Sequence, residues 1–373
     1  MRLPIILFVL FLCFSNLCAQ DKIIDSLENK LAKTSNNLEK AKLYNAISNQ
    51  FKYSDPARML EFGNQALKIS EENQLKTQMG NAYLNIGTAH IILGDYQKAM
   101  DNFVWAKSLF EELPKTPQTK DEIQQGIART YGCMGIVFSE QSNYAKALQY
   151  YLEAAKGYEK LNDQRQASKT YNNIGVVYKA QNEAEKALEY FIKALQIQKE
   201  NNDPNKGITQ TNIANIYFNK EKLDEAFQYY TWAKSSIDEN PNPRALGEWY
   251  NNMGAYYASR KYPEMALENW QNAVVSFKEI DDKFGLADTY LHLAEFHNKN
   301  NNKTEALNAA NNVLTLATET NVLEQIVLAE KLLSDIYSNS GNTEQALFHF
   351  KKYSTAKDSL YAKNDMRKAV EAT

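Results

Sequence analysis

Asparagine recurs in this chain two residues ahead of a small residue: Asn85 before Gly87, Asn173 before Gly175, Asn212 before Ala214 and Asn252 before Gly254. Cys133 and His292 stand at the same offset from Gly135 and Ala294. A carboxamide offers both a donor and an acceptor, so a row of them matches the peptide bonds of an extended chain without reading its side chains. Asn172 and Asn251 each precede a member of the row, and Asn215 follows Asn212 by one helical turn. Covalent or metal chemistry finds no such pattern. The chain has no Gly-rich phosphate loop and no HExxH, CxxC or GxSxG. Of the four histidines, His292 and His297 are five apart and point to different faces of a helix, which argues against a shared metal. Acidic pairs such as Asp281-Asp282 fall in linkers, and Cys133 has no basic sequence neighbour that would make it a nucleophile. The expectation is no catalytic residue, no metal and no cofactor.

The elements that carry this row are repeated. Tyr171, Ile174, Gly175 and Tyr178 are followed by Ala187, Phe191 and Ala194. The same order returns as Tyr131, Met134, Gly135, Phe138, Ala147, Tyr151, Ala154, and again as Tyr250, Met253, Gly254, Tyr257, Ala266, Trp270, Ala273. Tyr83, Ile86, Gly87, His90, Ala99, Phe103, Ala106 and Ile213, Ala214, Tyr217, Ala226, Tyr230, Ala233 are two more copies. Weaker copies run through Tyr290, Ala294, His297 and Ala306, and through Leu333, Ser334, Tyr337, Ala346, Phe350 and Tyr353. A degraded one opens the array at Ile47, Ser48, Phe51, Met59 and Ala66. The small-residue positions are 48, 87, 135, 175, 214, 254, 294 and 334, a spacing of 39 or 40 with one interval of 48 that holds Glu112 to Pro117.

Apolar positions three and four apart predict two helices per unit. Gly94-Asp95, Ser142-Asn143, Asn300 to Asn302 and Gly341-Asn342 separate the halves, and Pro56 and Pro263 stand where a second helix begins. Pro204, Pro241 and Pro243 fall between units. Gly175 and Ala187 are expected where the two helices cross, since a larger side chain would hold the backbones apart. Phe191 and Tyr178 fill the space between helices. His90 and His297 occupy a buried aromatic position, which assigns them to the core. No unit can bury its apolar face alone, so stability comes from stacking.

These residues resemble the tetratricopeptide repeat (TPR), with its aromatic-x-x-aliphatic-Gly-x-x-aromatic first helix and Ala-x-x-x-aromatic second helix. The resemblance covers nearly the whole chain and implies an all-α fold, a right-handed α-solenoid of about eight helix-turn-helix units. Two departures stand out: the period is near 40 instead of 34, and the proline that commonly closes the repeat is missing. Ile24, Leu27 and Leu31 predict a capping helix within residues 20–37. The array then runs over 38–353, and a C-terminal helix over 354–373.

The resemblance also implies where the asparagines face. In TPR arrays this position lines the concave groove, and in several of them asparagines there hold the backbone of an extended peptide. Asn85, Asn173, Asn212 and Asn252 are accordingly expected to be exposed. Each such bond contributes roughly 0.5–1.5 kcal/mol. Four give about 2–6 kcal/mol, short of the ~8 kcal/mol of a micromolar complex. Specificity must come from neighbours, and Arg129, Lys169 and Lys179 on adjacent first helices suit an acidic segment. Trp105 and Trp232, each just ahead of a closing alanine, are expected to pack between repeats; an exposed dimer contact is the alternative.

Residues 1–19 read as an export signal: Arg2, an apolar run from Ile5 to Phe14 too short to span a bilayer, and Ala19 at the cleavage position. Lipidation at Cys18 is the rival reading. Cleavage leaves Cys133 as the one cysteine. The 373 residues carry a net charge of -3, without the basic excess of a nucleic-acid binder. The sequence therefore predicts an exported, periplasmic or envelope-associated scaffold that binds a protein or peptide, without catalysis. An assembly or secretion scaffold using convex or terminal surfaces is the alternative. The export signal, the Ile24 to Leu27 entry and the ending Lys357 to Tyr361 are similar to the sensor region of bacterial histidine-kinase and LuxR-type signalling proteins. That resemblance implies a membrane signalling partner. The membrane and output domains that follow in those proteins do not occur in this sequence.

Overall fold

The computed structural model describes residues 22–53 and 55–371. The segment read as an export signal lies outside them. Among the described residues every regular element is helical and no helix is long and apolar enough to cross a membrane. Helix α1 covers residues 22–33. Eight helix pairs follow: α2 (Asn37–Gln50) with α3 (Pro56–Glu72), α4 (Lys76–Ile92) with α5 (Tyr96–Glu111), α6 (Lys120–Glu140) with α7 (Tyr144–Lys160), and α8 (Gln164–Ala180) with α9 (Ala184–Glu200). The later pairs are α10 (Lys206–Asn219) with α11 (Leu223–Glu239), α12 (Pro243–Ser259) with α13 (Pro263–Glu279), α14 (Lys283–Lys299) with α15 (Lys303–Thr320), and α16 (Leu323–Asn339) with α17 (Thr343–Glu371).

The period near 40 has a simple cause. Most helices have 17 residues, and three-residue turns join them within and between pairs. The left-handed residue of these turns recurs about every twentieth position, at Ser142, Asn162, Asn182 and Asn202, then Lys261, Asp281, Asn301, Asn321 and Gly341. Such a residue stops a helix by turning the chain back on its last carbonyls. The next residue often caps the following helix: the amide of Lys146 donates to Asn143 and that of Gln166 to Asp163. The interval of 48 holds an inserted loop and the 21-residue α6. Pro56 and Pro263 open second helices. Pro243 is the first residue of α12, not a linker residue, because its missing N–H is no loss in the first turn.

Two compact units divide the chain, one through Ala194 and one from Leu195, with the boundary inside α9. In the first unit, Ile24 of α1 joins Ile47, Phe51, Met59 and Ala89. A second cluster, from Leu84 and Phe103 to Met134 and Val137, ties the α4–α5 pair to α6. In the second unit, Ala214, Tyr230, Met253 and Tyr256 bind α10–α11 to α12, and Ala294, Ala310, Leu333 and Ile336 bind α14–α15 to α16. Within each unit a second helix packs on the first helix of the next pair, and first helices touch first helices: α2 with α4 and α4 with α6, then α10 with α12, α12 with α14 and α14 with α16. First helices therefore form a row on one face of each unit.

The crossing residues act differently from expectation. A Cβ on Gly175 would stand 2.6 Å from the ring of Phe191, and one on Gly135 2.6 Å from the ring of Tyr151. The glycine makes room for the aromatic side chain of the second helix, not for its backbone. Trp105 and Trp232 do not fill the space between repeats. They are 61% and 40% exposed, because the residue ahead of the buried closing alanine points outward on its helix.

Candidate peptide-binding face

The asparagine row lies on the face made by first helices, but much of it is already engaged. Asn85 on α4 is buried, and its amide donates to the backbone carbonyl of Asn45 on α2 at 3.0 Å and to the Asn45 carboxamide at 3.2 Å. Asn45 in turn donates to the Gln78 carbonyl at 3.1 Å. The expected exposure fails at Asn85 because α2 and α4 approach closely there, and the carboxamide satisfies the backbone between them. Asn251 is likewise buried, donating to Asp288 on α14 at 2.7 Å. Asn252 bonds back to the Glu248 carbonyl of its own helix at 2.7 Å. Asn215 accepts from the Tyr230 hydroxyl at 2.6 Å and so braces α10 against α11. Burial raises the pKa of that hydroxyl, which keeps it a donor.

The remaining candidates are half-buried. Asn172, Asn212 and Lys179 each have a partner already. Arg129 on α6 donates through one guanidinium nitrogen to Asn81 on α4 at 2.8 Å, leaving its other donors for a ligand. Lys169 and Asn173 on α8, half-buried, have no hydrogen bond or ion pair among the described residues. Cys133 is a free, half-buried thiol one turn after Arg129. The first unit thus presents cations and a carboxamide on the first-helix face of α6 and α8.

The sequence distinguishes the two units at one repeated position of the first helices. Six residues before the small position stand Lys42, Asn81, Arg129 and Lys169 in the first unit, but Ile208, Glu248, Asp288 and Leu328 in the second. The position lies on the first helices in each unit, and its charge differs between them. Glu248 and Asp288 are half-buried, with Asp288 holding Asn251 and Arg244 lying 3.3 Å from Glu248.

The histidines do not converge, and no group of metal-ligating side chains forms among the described residues. His292 stacks on Trp270 with ring centroids 5.9 Å apart. His90 and His297 are half-buried at their aromatic positions. His349 is buried against Glu330, with its Nδ1 2.6 Å from the carboxylate, and stacks on Tyr337.

The tetratricopeptide repeat family profiles match residues 126–200 and 166–236, and a second profile of the same description matches 80–107. No curated protein matches the sequence. Among solved structures, a Rap protein complexed with competence and sporulation factor is similar at a TM-score of 0.64 and 16% identity, over 95% of each chain. The Rap conjugation gene regulator of plasmid pLS20, in complex with the Phr* peptide, has a TM-score of 0.63 at 13% identity, covering 92% of this chain and 96% of that one. Aspartyl phosphate phosphatase F from Bacillus subtilis has a TM-score of 0.61 at 13% identity, over 94% and 91%. At these identities the likeness concerns the fold. The paired helices, the glycine–aromatic crossings and the profile matches agree, and the chain carries tetratricopeptide repeats.

Proposed function

We propose that this chain is a non-catalytic scaffold of the cell envelope that holds an extended, acidic protein segment against the first-helix face of α6 and α8. The observation that carries the reading is the pair Lys169 and Asn173, half-buried and unengaged one turn apart on α8, with Arg129 at the repeat position on α6 that Lys169 holds on α8. A half-buried cation keeps its stem packed and its head available, so a carboxylate docked there is partly shielded from screening. Asn173 then holds a peptide bond. The Rap conjugation gene regulator in complex with the Phr* peptide gives the same architecture a precedent for such a ligand. Export rests on the apolar run of residues 5–14 with Ala19, and signal sensing on the sequence resemblance to envelope sensor regions.

Panning a random peptide-display library on the purified protein tests this. Acidic sequences should be enriched, and Lys169→Glu should weaken their binding at least about tenfold, a change of roughly 1.4 kcal/mol. Binding should also fall as salt rises. Enriched peptides that bind Lys169→Glu and Asn173→Ala as well as wild type would remove the ligand from this face.

A further inference from the structure

The last helix pair leaves open a face that every earlier pair covers. Phe103, Tyr151, Phe191, Tyr230 and Trp270 occupy one position of their second helices, and each is at most 3% exposed. Phe350, at that position of α17, is 54% exposed. Two turns further on, Phe110, Tyr158, Ile237, Phe277 and Ala317 are all buried, while α17 carries Lys357. In the earlier pairs, the first helix of the next pair supplies the cover, as α6 does for α5 and α14 for α13. No described element does this for α17. This helix also has 29 residues, against 16 to 18 in the second helices before it. Its length is about 43 Å at 1.5 Å per residue.

The open face has the spacing of a helix–helix seam. Leu347, Phe350, Ser354, Lys357 and Tyr361 succeed one another at intervals of three and four, as the contact positions of paired helices do. Leu347 and Tyr361 are 52% and 56% exposed. The central part of the stripe is its own complement when reversed. With a two-fold axis between Thr355 and Ala356, Phe350 meets the partner's Tyr361 and Ser354 meets the partner's Lys357, and each contact occurs twice. Lys357 already lies over its own Tyr353 and Tyr361 rings, at 5.5 and 5.7 Å, so its stem covers apolar surface while its ammonium reaches toward Ser354 of the partner subunit. Parallel copies would instead oppose the two Lys357 ammonium groups.

We infer that α17 is the dimerisation element of this protein: two copies pair antiparallel through the Leu347–Tyr361 stripe, each supplying the helix that completes the other's last pair. A two-fold interface requires one patch to be self-complementary, which this stripe is. The arrangement repeats the helix-on-helix contact that covers the earlier second helices. It does not depend on the peptide ligand proposed above, whose face lies on α6 and α8.

Sedimentation equilibrium of the purified protein across the micromolar range should give twice the mass of the single purified chain. Phe350→Glu should weaken association at least about tenfold, with helical circular dichroism unchanged because the side chain is exposed. Ser354→Lys should dissociate the dimer by facing Lys357 of the partner subunit, and adding Lys357→Glu should restore it. The single-chain mass throughout the range would overturn the inference. So would a dimer indifferent to Phe350→Glu, or a Ser354→Lys, Lys357→Glu protein that stays dissociated.

Discussion

A glycine on the first helix facing an aromatic ring on the second is the packing device of the best-preserved repeats, and its exceptions obey the same volume rule. In the first pair the two partners are exchanged: Ser48 stands at the glycine position, and Gly63 stands where the aromatic would be. The Ser48 hydroxyl then donates to the Met59 carbonyl at 2.7 Å across the crossing. Ser334 does the same to the Ala346 carbonyl at 2.9 Å in the last pair, where Phe350 has turned outward. His297 is an exception of another kind, an ionisable ring at an aromatic position. Burial holds its imidazole below the ordinary value of 6.5, against the weaker opposite effect of Glu305. The folded state therefore favours the neutral ring, and as pH falls the unfolded chain takes up the proton first. Stability from this site is full above about pH 6.5 and declines as pH drops from there through the folded value. Urea midpoints at about pH 7.5 and 5.5 should differ, and His297→Tyr, the residue of the neighbouring repeats, should shrink the difference. An unchanged difference would place the pH response elsewhere.

Helices of 17 residues and turns of three set the repeat, and the turns carry a measurable strain. Glu221 and Lys261 hold left-handed φ values of 58° and 64°, where Gly94 and Gly341 hold 75° and 76° without cost to a side chain. A side chain in this region costs about 1–2 kcal/mol, partly offset in a glycine variant by the greater freedom of its unfolded chain. Glu221→Gly with Lys261→Gly should raise the thermal midpoint by a few degrees, a net gain of about 0.5–1 kcal/mol per site. A lowered midpoint would mean that these side chains contribute more in the turn than their backbone costs. At this scale the sequence was legible. Helix pairs follow from the three-and-four spacing of Tyr171, Ile174, Gly175 and Tyr178, and the second-helix starts from Pro56 and Pro263. Pro243 was misplaced because a proline between units and a proline at the first residue of a helix look alike without the helix end in view.

Each unit of the molecule is held by neighbours acting on neighbours. Phe110, at the end of α5, lies between Gly80 of its own pair and Gly126 of the next, and a Cβ on either glycine would strike its ring. Phe277 is held in the same way by Gly247 and Gly285 in the second unit. Phe110→Ala should cost about 3–5 kcal/mol, since no flexible side chain can fill the void between two glycines. In a repeat array that loss stays near its origin. Hydrogen exchange should speed up in α4 to α7 and leave the amides of α12 to α16 protected. Equal loss of protection in both units would show that the chain unfolds as one cooperative body.

By itself, the sequence determined the helix pairs, their number and the placing of the asparagines on first helices. Spacing within a helix is a local property, and the small and aromatic residues that must meet are near in sequence. It did not determine which face residues remain available. Asn85 is taken up by Asn45 and Asn251 by Asp288, partners 40 and 37 positions away whose approach depends on how first helices of successive pairs come together. The same reason separates Phe350 from its equivalents. The residue type is that of a buried ring, but Phe350 is turned away from α16 and no other described helix lies over it. Local spacing says which way a side chain points, whereas the tertiary structure decides whether anything is already there to meet it.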